Sequence, residues 1–498
     1  MIHDSRSAPE RVNFLAFADN SGRFRRGMRT DQRVSGRTEN LPVVTVIGGG
    51  LAGCEAAWQA ARLGAAVRLF EMRPLVMTPA HRTDLLAELV CSNSLGSASV
   101  DRAAGMLLEE LRLAGSLLRR VAEVHRVPAG QALAVDRYGF AREVTRTLYS
   151  HPAVKVVRRE IQSIPDDGPV IVAAGPLASP ALCQALSHLT GEENLFFFDA
   201  IAPMVTAESV DRSLAFSASR YGHGEDDYLN CPLTEEEYRI FVRELRAARR
   251  APLRGFEAEL DTGVRAGRGP FFERCLPVEI LAARGDLTLA HGPMRPTGLV
   301  DPRTGKRPFA VLQLRRDDVA GQLYNLVGMQ TNLLYTEQER VFRLIPALHQ
   351  AEFARYGQMH RNTFLCSPKV INAALQSRLR DDLFFAGQLT GIEGYAGNIA
   401  SGWLAGVNAA RLASGQSPVI PPPETMIGAL CRYVSAADPS AFQPMKANFG
   451  LLVAAESCTL RGRERHRWLA ARGLTRMQEF LREIGLCAVT EVPDVRCD

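Results

Sequence analysis

The chain has 498 residues, of which 46% are hydrophobic and 23% are charged, and its formal net charge is +5. This composition is typical of a globular protein, and the length predicts at least two domains. No run of about 18 apolar residues is present and the first residues lack an apolar signal core, so we expect no contact with a membrane and no secretory leader. The ten cysteines are scattered without a CxxC pair or zinc-type spacing, which predicts free thiols in a cytoplasmic protein and no metal site.

Residues 1–40 differ from the rest of the chain. They are rich in Arg, Ser, Asp and Gly and have no periodic apolar pattern. We interpret them as a disordered tail or as an over-long start upstream of an alternative initiator, Met28. A transit peptide is a further alternative.

A dinucleotide-binding fingerprint follows the tail. The apolar run Val43–Ile47 predicts a buried parallel strand, and the glycines after it suit a tight turn, a close approach to a pyrophosphate and close helix–strand packing. A second strand, 66–70, ends in an acidic residue where a carboxylate binds a ribose hydroxyl. The alternative is a tight turn in another doubly wound fold. The predicted cofactor residues of this segment are Gly48, Gly49, Gly50, Leu51, Ala52, Gly53 and Glu71.

A second glycine-rich segment lies far along the chain, in DDLFFAGQLTGIEGYAGNIASGW from Asp381. It predicts a strand over 383–386, a glycine turn and a helix from about Ile399. A second strand–glycine–helix element is what a long flavin cofactor requires, because its ring lies over a later helix N-terminus. We therefore predict FAD and assign Gly387, Gln388 and Tyr395 to its site. Tyr395 either stacks on the ring system or is a core aromatic.

The region between these segments changes character. GPVIVAAGP, from Gly168, predicts another buried strand, whereas residues 201–360 alternate aromatics with charges and contain many Pro–Gly turns. The predicted fold is α/β, an FAD-binding Rossmann-like doubly wound domain with an inserted α+β domain. The predicted boundaries are 41–200 for the first part of the FAD-binding domain, 201–360 for the inserted domain, and 361–498 for the second part with a basic C-terminal segment.

Two cysteines stand in settings that suit catalysis. Cys91 opens a polar turn in AELVCSNSLGS, and Cys275 follows Arg274 in FFERCLPVEI. A neighbouring cation or helix N-terminus lowers the pKa of a thiol and makes it a nucleophile. The alternative for each is a small buried apolar residue.

Two basic segments are candidates for binding a phosphate backbone. Arg239, Arg243, Arg246 and Arg250 have the spacing of one helix face, although four nearby glutamates also allow a solvated helix. The second segment, 461–476, interleaves arginines with His466 and Trp468, a pattern that suits RNA or a solvated amphipathic helix.

Several motifs together resemble one family, the folate- and FAD-dependent tRNA (uracil-5-)-methyltransferases, TrmFO (formerly Gid), which are related to MnmG. The motifs are VIGGGLAGCEAAW, MTPAHRTDLLAELVCSNSL, FERCLPVEILAARG, GPMRPTGLVDPRTGKRPFAVLQLR, MHRNTF, GQLTGIEGY and FQPMKANFG. The resemblance extends from about residue 41 to beyond residue 467. This chain departs from it at Tyr335, where many members have Trp, and at 396–398, where many have VES.

The resemblance implies an activity. It implies transfer of a one-carbon unit from 5,10-methylenetetrahydrofolate to carbon 5 of the uridine at position 54 of the tRNA T-loop, with FAD and NAD(P)H supplying electrons. It implies that Cys91 and Cys275 are the catalytic cysteines, in unassigned order, and that Tyr395 stacks on the flavin. The same reaction on ribosomal RNA, an FAD-dependent NAD(P)H oxidoreductase for a small molecule and a flavin-binding RNA chaperone are alternatives. The oligomeric state stays open, a weak homo-oligomer included.

Overall fold

A computed structural model of the protein describes residues 42–192, 195–222, 227–251, 276–453 and 460–488. The predicted tail, 1–40, and the predicted catalytic residue Cys275 lie outside these ranges. No helix in the described ranges is long and apolar enough to cross a membrane.

The first layer is a parallel sheet of five strands. Its order is β16-β7-β1-β2-β6, and every neighbouring pair runs parallel. The β-branched and aromatic runs of these strands are largely buried, as expected for a sheet covered on both faces. The strands are β1 (Val43–Ile47), β2 (Ala66–Glu71), β6 (Val154–Arg158), β7 (Val170–Val172) and β16 (Leu383–Phe385).

Eight helices of eight or more residues in the described ranges share one hydrophobic core with this sheet. Two of them, α1 and α11, pack backbone against backbone, because a Cβ on Gly402 would lie 2.2 Å from the carbonyl oxygen of Ala52 and one on Gly406 would lie 2.4 Å from that of Ala56. The helices are α1 (Leu51–Arg62), α2 (Ala103–Leu113), α3 (Leu117–Val124), α4 (Arg137–Ser150), α5 (Pro180–Thr190), α11 (Tyr395–Ala413), α12 (Met426–Ala436) and α13 (Gly462–Glu483).

The second layer is an antiparallel sheet of six strands with its own hydrophobic core. Its order is β10-β11-β12-β13-β9-β14, and four helices belong to the same part of the chain. The strands are β9 (Met204–Thr206), β10 (Phe216–Ser217), β11 (Tyr228–Leu233), β12 (Ala310–Arg316), β13 (Leu323–Leu326) and β14 (Phe353–Arg355). The helices are α6 (Glu235–Ala247), α7 (Val278–Ala283), α8 (Thr288–His291) and α9 (Tyr335–Phe342).

Two small sheets and one short helix complete the described fold. A ribbon pairs β8 (Leu195–Ala200) with β15 (Met359–Phe364), and these strands directly precede and follow the residues of the six-stranded sheet. The other sheet joins β3 (Ser94–Ser97), β4 (Arg126–Val127) and β5 (Ala132–Val135). Helix α10 (Ser367–Val370) follows β15. The fold is therefore α/β, with an antiparallel sheet inserted between parts of a parallel one, while the exact domain boundaries stay a prediction.

Two element predictions need correction. Helix α11 begins at Tyr395, four residues before the predicted start, because Gly394 adopts a φ of +85° and serves as its N-cap. Helix α6 ends at Ala247, so Arg250 does not share its helix face and instead bridges to Leu333.

Candidate nucleotide cleft and Cys91 loop

A cleft of about 1000 Å³ opens at the carboxyl ends of β1 and β7. The chain continues from β1 to β2 on one side, whereas β7 lies on the other, so the cleft occupies a topological switch point, where doubly wound sheets bind ligands. Nine of the ten predicted cofactor residues line it, namely Gly48, Gly49, Gly50, Leu51, Ala52, Glu71, Gly387, Gln388 and Tyr395.

The glycines of the fingerprint have distinct surroundings. Gly48 has a φ of +105°, and a Cβ there would lie 2.4 Å from the carbonyl oxygen of Ala173. Gly53, the tenth predicted residue, is outside the cleft lining, and its Cβ would lie 1.8 Å from the carbonyl oxygen of Gly48. A Cβ on Gly50 would meet nothing within 4 Å, and Gly50 caps α1 without any side-chain cap. An open helix N-terminus with room above it fits a pyrophosphate.

Glu71 lies at one end of the cleft. Its Oε2 accepts a hydrogen bond of 2.8 Å from the backbone N–H of Gly49, and its Oε1 accepts one of 2.8 Å from Nε of Arg73. Burial opposes ionisation, but the hydrogen bond and charge of Arg73 hold the pKa of Glu71 below its usual range. The carboxylate is thus ionised beside the glycine turn, at the position where the sequence predicted a residue that binds a ribose hydroxyl. The supporting Arg73 was not predicted.

The other end of the cleft is formed by the start of α11 and the turn before it. The backbone N–H of Gly387 donates to Oγ of Ser401 at 2.8 Å, and the side chain of Gln388 donates to Glu393. Asn398 also lines the cleft, and its Oδ1 is buried without a hydrogen-bond partner among the described residues. An orphaned acceptor fits a polar N–H of a bound ring system. The residues at both ends therefore fit a flavin dinucleotide, and the sequence pattern gave no signal for Asn398.

Tyr395 connects the cleft to the first candidate cysteine. Its phenolic oxygen accepts hydrogen bonds from the backbone N–H groups of Cys91, at 2.8 Å, and Ser92, at 3.2 Å. Burial, and next the neighbouring Cys91, raise the pKa of Tyr395 well above its usual range, so the phenol is neutral. One residue thus lines the cleft and holds the backbone of the half-buried Cys91.

Further contacts fix residues 89–93, which we call the Cys91 loop. Arg137 donates to the carbonyl oxygen of Leu89, and Nη2 of Arg315 donates to Oγ of Ser92 at 2.8 Å. Nδ2 of Asn93 donates to the carbonyl oxygens of Val135, at 3.1 Å, and Arg316, at 2.9 Å. The loop is therefore held by α4, α11, β5 and β12. Sequence reasoning found Cys91 but missed these supports, because each comes from a remote segment.

Three other cysteines are fully buried and unsuited to nucleophilic work. Cys54 lies on the buried side of α1, and its Sγ lies 3.2 Å from the carbonyl oxygen of Gly49. Burial raises the pKa of Cys231 and of Cys431 to about 12 each. Because Cys275 lies outside the described residues, its approach to Cys91 stays a prediction.

The two basic segments differ in charge balance. On α6, Arg239 pairs with Glu235, Arg243 with Glu244, and Arg246 with Asp286. On α13, Arg472 pairs with Glu424 and Arg476 with Glu479, whereas Arg463 and Arg467 both approach one carboxylate, that of Asp101. The solvated-helix interpretation therefore fits α6 better than α13.

Comparisons with known proteins agree with this geometry. The sequence profile of the glucose inhibited division protein A family matches residues 43–417. A protein of Moorella thermoacetica named methylenetetrahydrofolate–tRNA-(uracil-5-)-methyltransferase TrmFO is 57% identical over 431 residues, which cover 86% of this chain and 96% of that protein. A relative of the same name from Pelotomaculum thermopropionicum is 52% identical over 447 residues, covering 90% and 99%.

Solved structures show the same fold. A crystal structure of Aquifex aeolicus GidA superposes with a TM-score of 0.66 at 17% identity and covers 91% of this chain and 77% of that one. At this identity the likeness concerns the fold alone. The profile and the near-full-length relatives establish the family: the chain belongs to the glucose inhibited division protein A family, in the branch formed by the TrmFO methyltransferases.

Proposed function

We propose that the protein is a folate- and FAD-dependent tRNA (uracil-5-)-methyltransferase that forms 5-methyluridine at position 54 of the T-loop. The observation that carries this proposal is identity above one half, over almost the whole chain, to proteins that bear this name. 5,10-Methylenetetrahydrofolate is the one-carbon donor and NAD(P)H the reductant. The described cysteines form no disulfides, which supports a cytoplasmic enzyme.

The cleft residues are assigned to FAD. Gly48, Gly49 and Gly50, with the open N-terminus of α1, would hold the pyrophosphate, and Glu71 would hold a ribose hydroxyl. Gln388, Tyr395 and the orphaned Asn398 would hold the ring end. When bound, FAD supplies the electrons that reduce the transferred methylene to a methyl group.

The cysteines are assigned to the uracil. Carbon 5 of uracil is a poor nucleophile until a thiolate adds at carbon 6, and a base must later remove the proton from carbon 5. Cys91 is supported for one of these roles, because its backbone is held by a residue that lines the cofactor cleft. Cys275 is assigned to the other role from its motif alone.

Reconstitution tests the reaction. Purified protein is mixed with NADPH, an unmodified tRNA transcript and methylenetetrahydrofolate labelled in the methylene carbon. We expect label in 5-methyluridine of the tRNA, and none when methyl-labelled S-adenosylmethionine replaces the folate. A ribosomal RNA fragment in parallel decides the RNA substrate, since label only there would reject tRNA. Folate-independent transfer from S-adenosylmethionine would reject the proposal.

Substitution of the cysteines tests their roles. We expect Cys91→Ala and Cys275→Ala each to retain FAD and tRNA binding and to lose about 10²-fold or more of the methylation rate, because each variant lacks one of the two steps, thiolate addition or proton removal. The control is Cys487→Ala, since Cys487 is exposed near the C-terminal end and has no assigned role. tRNA carrying 5-fluorouridine should trap a covalent adduct, and the variant that fails to trap identifies the nucleophile. Near-parental turnover of both variants would reject the cysteine mechanism.

A further inference from the structure

Arg315 is a buried cation directly beside the Cys91 loop. The residue is 8% exposed, and its Nη2 donates to Oγ of Ser92, the residue that follows Cys91. Its Nε is buried without a hydrogen-bond partner in the described part of the chain. Burial lowers the pKa of Arg315, yet a guanidinium stays protonated. A buried charge is costly unless an anion lies nearby.

No carboxylate forms an ion pair with Arg315 among the residues that the structure describes. The nearest acid in the sequence, Asp317, directly follows β12 and is bound by Arg137 in a bidentate pair with distances of 2.9 and 2.8 Å. Opposite Arg315 on β11 lies Tyr228, whose hydroxyl donates to the carbonyl oxygen of Ala129 at 3.1 Å. Burial raises the pKa of Tyr228, so this neighbour is neutral. Asp317 also acts on Arg315 electrostatically, but its oxygens are bonded to Arg137, so Arg315 has no carboxylate paired with it alone in the described ranges.

Three cations from the described residues face Cys91. Arg137 from α4, Arg315 from β12 and Arg355 from β14 all interact electrostatically with the Cys91 side chain. Tyr395 from α11 is neutral, and the carboxylate of Asp317 is paired with Arg137. Arg355 donates to a residue outside the Cys91 loop, at 3.3 Å to the carbonyl oxygen of Ala80. Among the described residues, Arg315 is thus the cation without an ion pair whose hydrogen bond lies nearest to Cys91 in the sequence.

We propose that Arg315 is a positioning residue that keeps the Cys91 side chain as a thiolate, because its buried guanidinium is hydrogen-bonded to Ser92, the residue after Cys91, and forms no ion pair among the described residues. The thiol proton passes to solvent, and the thiolate becomes a counter-charge for Arg315. The use of this thiolate on uracil rests on the proposed function, whereas its ionisation does not. An opposite charge within about 4–6 Å lowers the pKa of an acid by about 1–3 units.

The rate of alkylation measures the thiolate directly. The FAD-loaded protein is treated briefly with iodoacetamide from pH 5 to pH 10, and peptide mass spectrometry follows each cysteine. The exposed Cys487 is the reference in the same tube. We expect the pH at which alkylation of Cys91 reaches half its maximal rate, its midpoint, to lie below that for Cys487. Arg315→Gln should raise the Cys91 midpoint by about one unit or more, and Arg315→Lys should largely restore it.

The other outcomes are decisive as well. An unchanged Cys91 midpoint in Arg315→Gln with normal flavin content overturns the proposal. If that variant also lowers the salt dependence of tRNA binding by about one unit of slope, Arg315 is a phosphate ligand instead. If Arg315→Gln does not fold, the unsubstituted protein still tests the proposal. A Cys91 midpoint at or above that of Cys487 in that protein would reject it. RNA is absent from the alkylation assay, so its result is independent of the methylation test.

Discussion

Gly50 and Gly53 lie three residues apart in the fingerprint, yet their absent side chains serve different purposes. The space beside Gly50 is open and faces the cleft, and its φ of −77° suits any residue. The space beside Gly53 is already filled by the carbonyl oxygen of Gly48. One glycine therefore leaves room for a ligand, and the other leaves room for the protein itself.

This difference predicts two distinct variants. Gly50→Val should lose nearly all of its flavin because the side chain enters the pyrophosphate space, while its apoprotein should lose at most about 1 kcal/mol of stability from a poorer N-cap. Gly53→Ala should cost the apoprotein about 2–3 kcal/mol through overpacking. Flavin absorbance and urea unfolding of the two apoproteins measure these effects. Full flavin content in Gly50→Val would reject the assigned pyrophosphate site.

Glu110 is a charged residue type in an interior position. It is fully buried on α2, and its carboxylate oxygens accept hydrogen bonds from the backbone N–H groups of Met426, at 2.7 Å, and Ile427, at 3.0 Å, at the start of α12. Burial raises the pKa of Glu110 from 4.5 to about 8, against the effect of these two hydrogen bonds. The folded protein therefore favours the protonated acid.

The sign of the resulting pH dependence follows from linkage. A raised carboxyl pKa in the folded state stabilises the protein fully below pH 4.5, and this contribution is lost as the pH rises towards about 8. Glu110→Gln cannot ionise, so its melting temperature relative to the parent should rise by a few degrees between pH 5 and pH 8.5. Glu109→Gln, one residue away in a pair with Arg112, is the matched control and should show no such trend. A constant difference for Glu110→Gln would contradict the prediction.

At the scale of elements, α6 and α13 are two arginine-rich helices whose net charges have opposite signs. Helix α6 has three arginines and four glutamates, and α13 has six arginines and three glutamates. The described carboxylates neutralise α6 locally, whereas Asp101 is shared by two arginines of α13. Surplus positive charge attracts the phosphates of RNA.

We therefore expect α13 to bind tRNA more strongly than α6. Replacing Arg463, Arg465 and Arg467 with glutamine should weaken tRNA binding and lower its salt dependence by about one unit of slope for each lost phosphate contact, with unchanged flavin content. The matched triple variant at Arg239, Arg243 and Arg246 should change the affinity little. Filter binding at several salt concentrations compares them, and equal losses would reject the distinction.

The elements differ in how far the sequence predicts them. Strand β1 and its glycine turn were predicted correctly, because apolar runs and glycine spacing are local signals. The start of α11 was misplaced by four residues, since a glycine N-cap resembles a glycine turn. The supports of the Cys91 loop were missed: Arg137 and Arg315 act on it across long sequence separations that no periodicity reveals. The paired site of Cys91 and Cys275 stays a prediction.

At the scale of the whole molecule, the Arg137–Asp317 pair joins the two layers. It connects the first residue of α4 with the residue that follows β12, 180 positions away, and both side chains are largely buried. Although burial opposes it, the charge of Asp317 raises the pKa of Arg137. The same arginine donates to the carbonyl oxygen of Leu89 in the Cys91 loop.

Substitutions in this pair should affect the stability of the fold and the methylation activity separately. Asp317→Asn should cost about 3–5 kcal/mol because a buried guanidinium loses its partner. The double variant Arg137→Met/Asp317→Leu should recover most of that stability, yet it should remain poorly active because Leu89 loses its donor. Urea unfolding and initial methylation rates give the two readouts. Recovery of activity together with stability would show that the arginine serves the fold alone.

The backbone contact of α1 with α11 also sets the order in which a newly made molecule can be completed. The N-terminus of α1 emerges from the ribosome early, but Gly402 and Gly406, against which it packs, follow far later. At about 5–20 residues per second, the roughly 340 residues between β1 and β16 require about 17–70 s of synthesis. During that time the nascent fingerprint has neither its partner helix nor the far wall of its cleft. Flavin loading is therefore a late event in biogenesis, and a truncated polypeptide ending before residue 395 should be colourless.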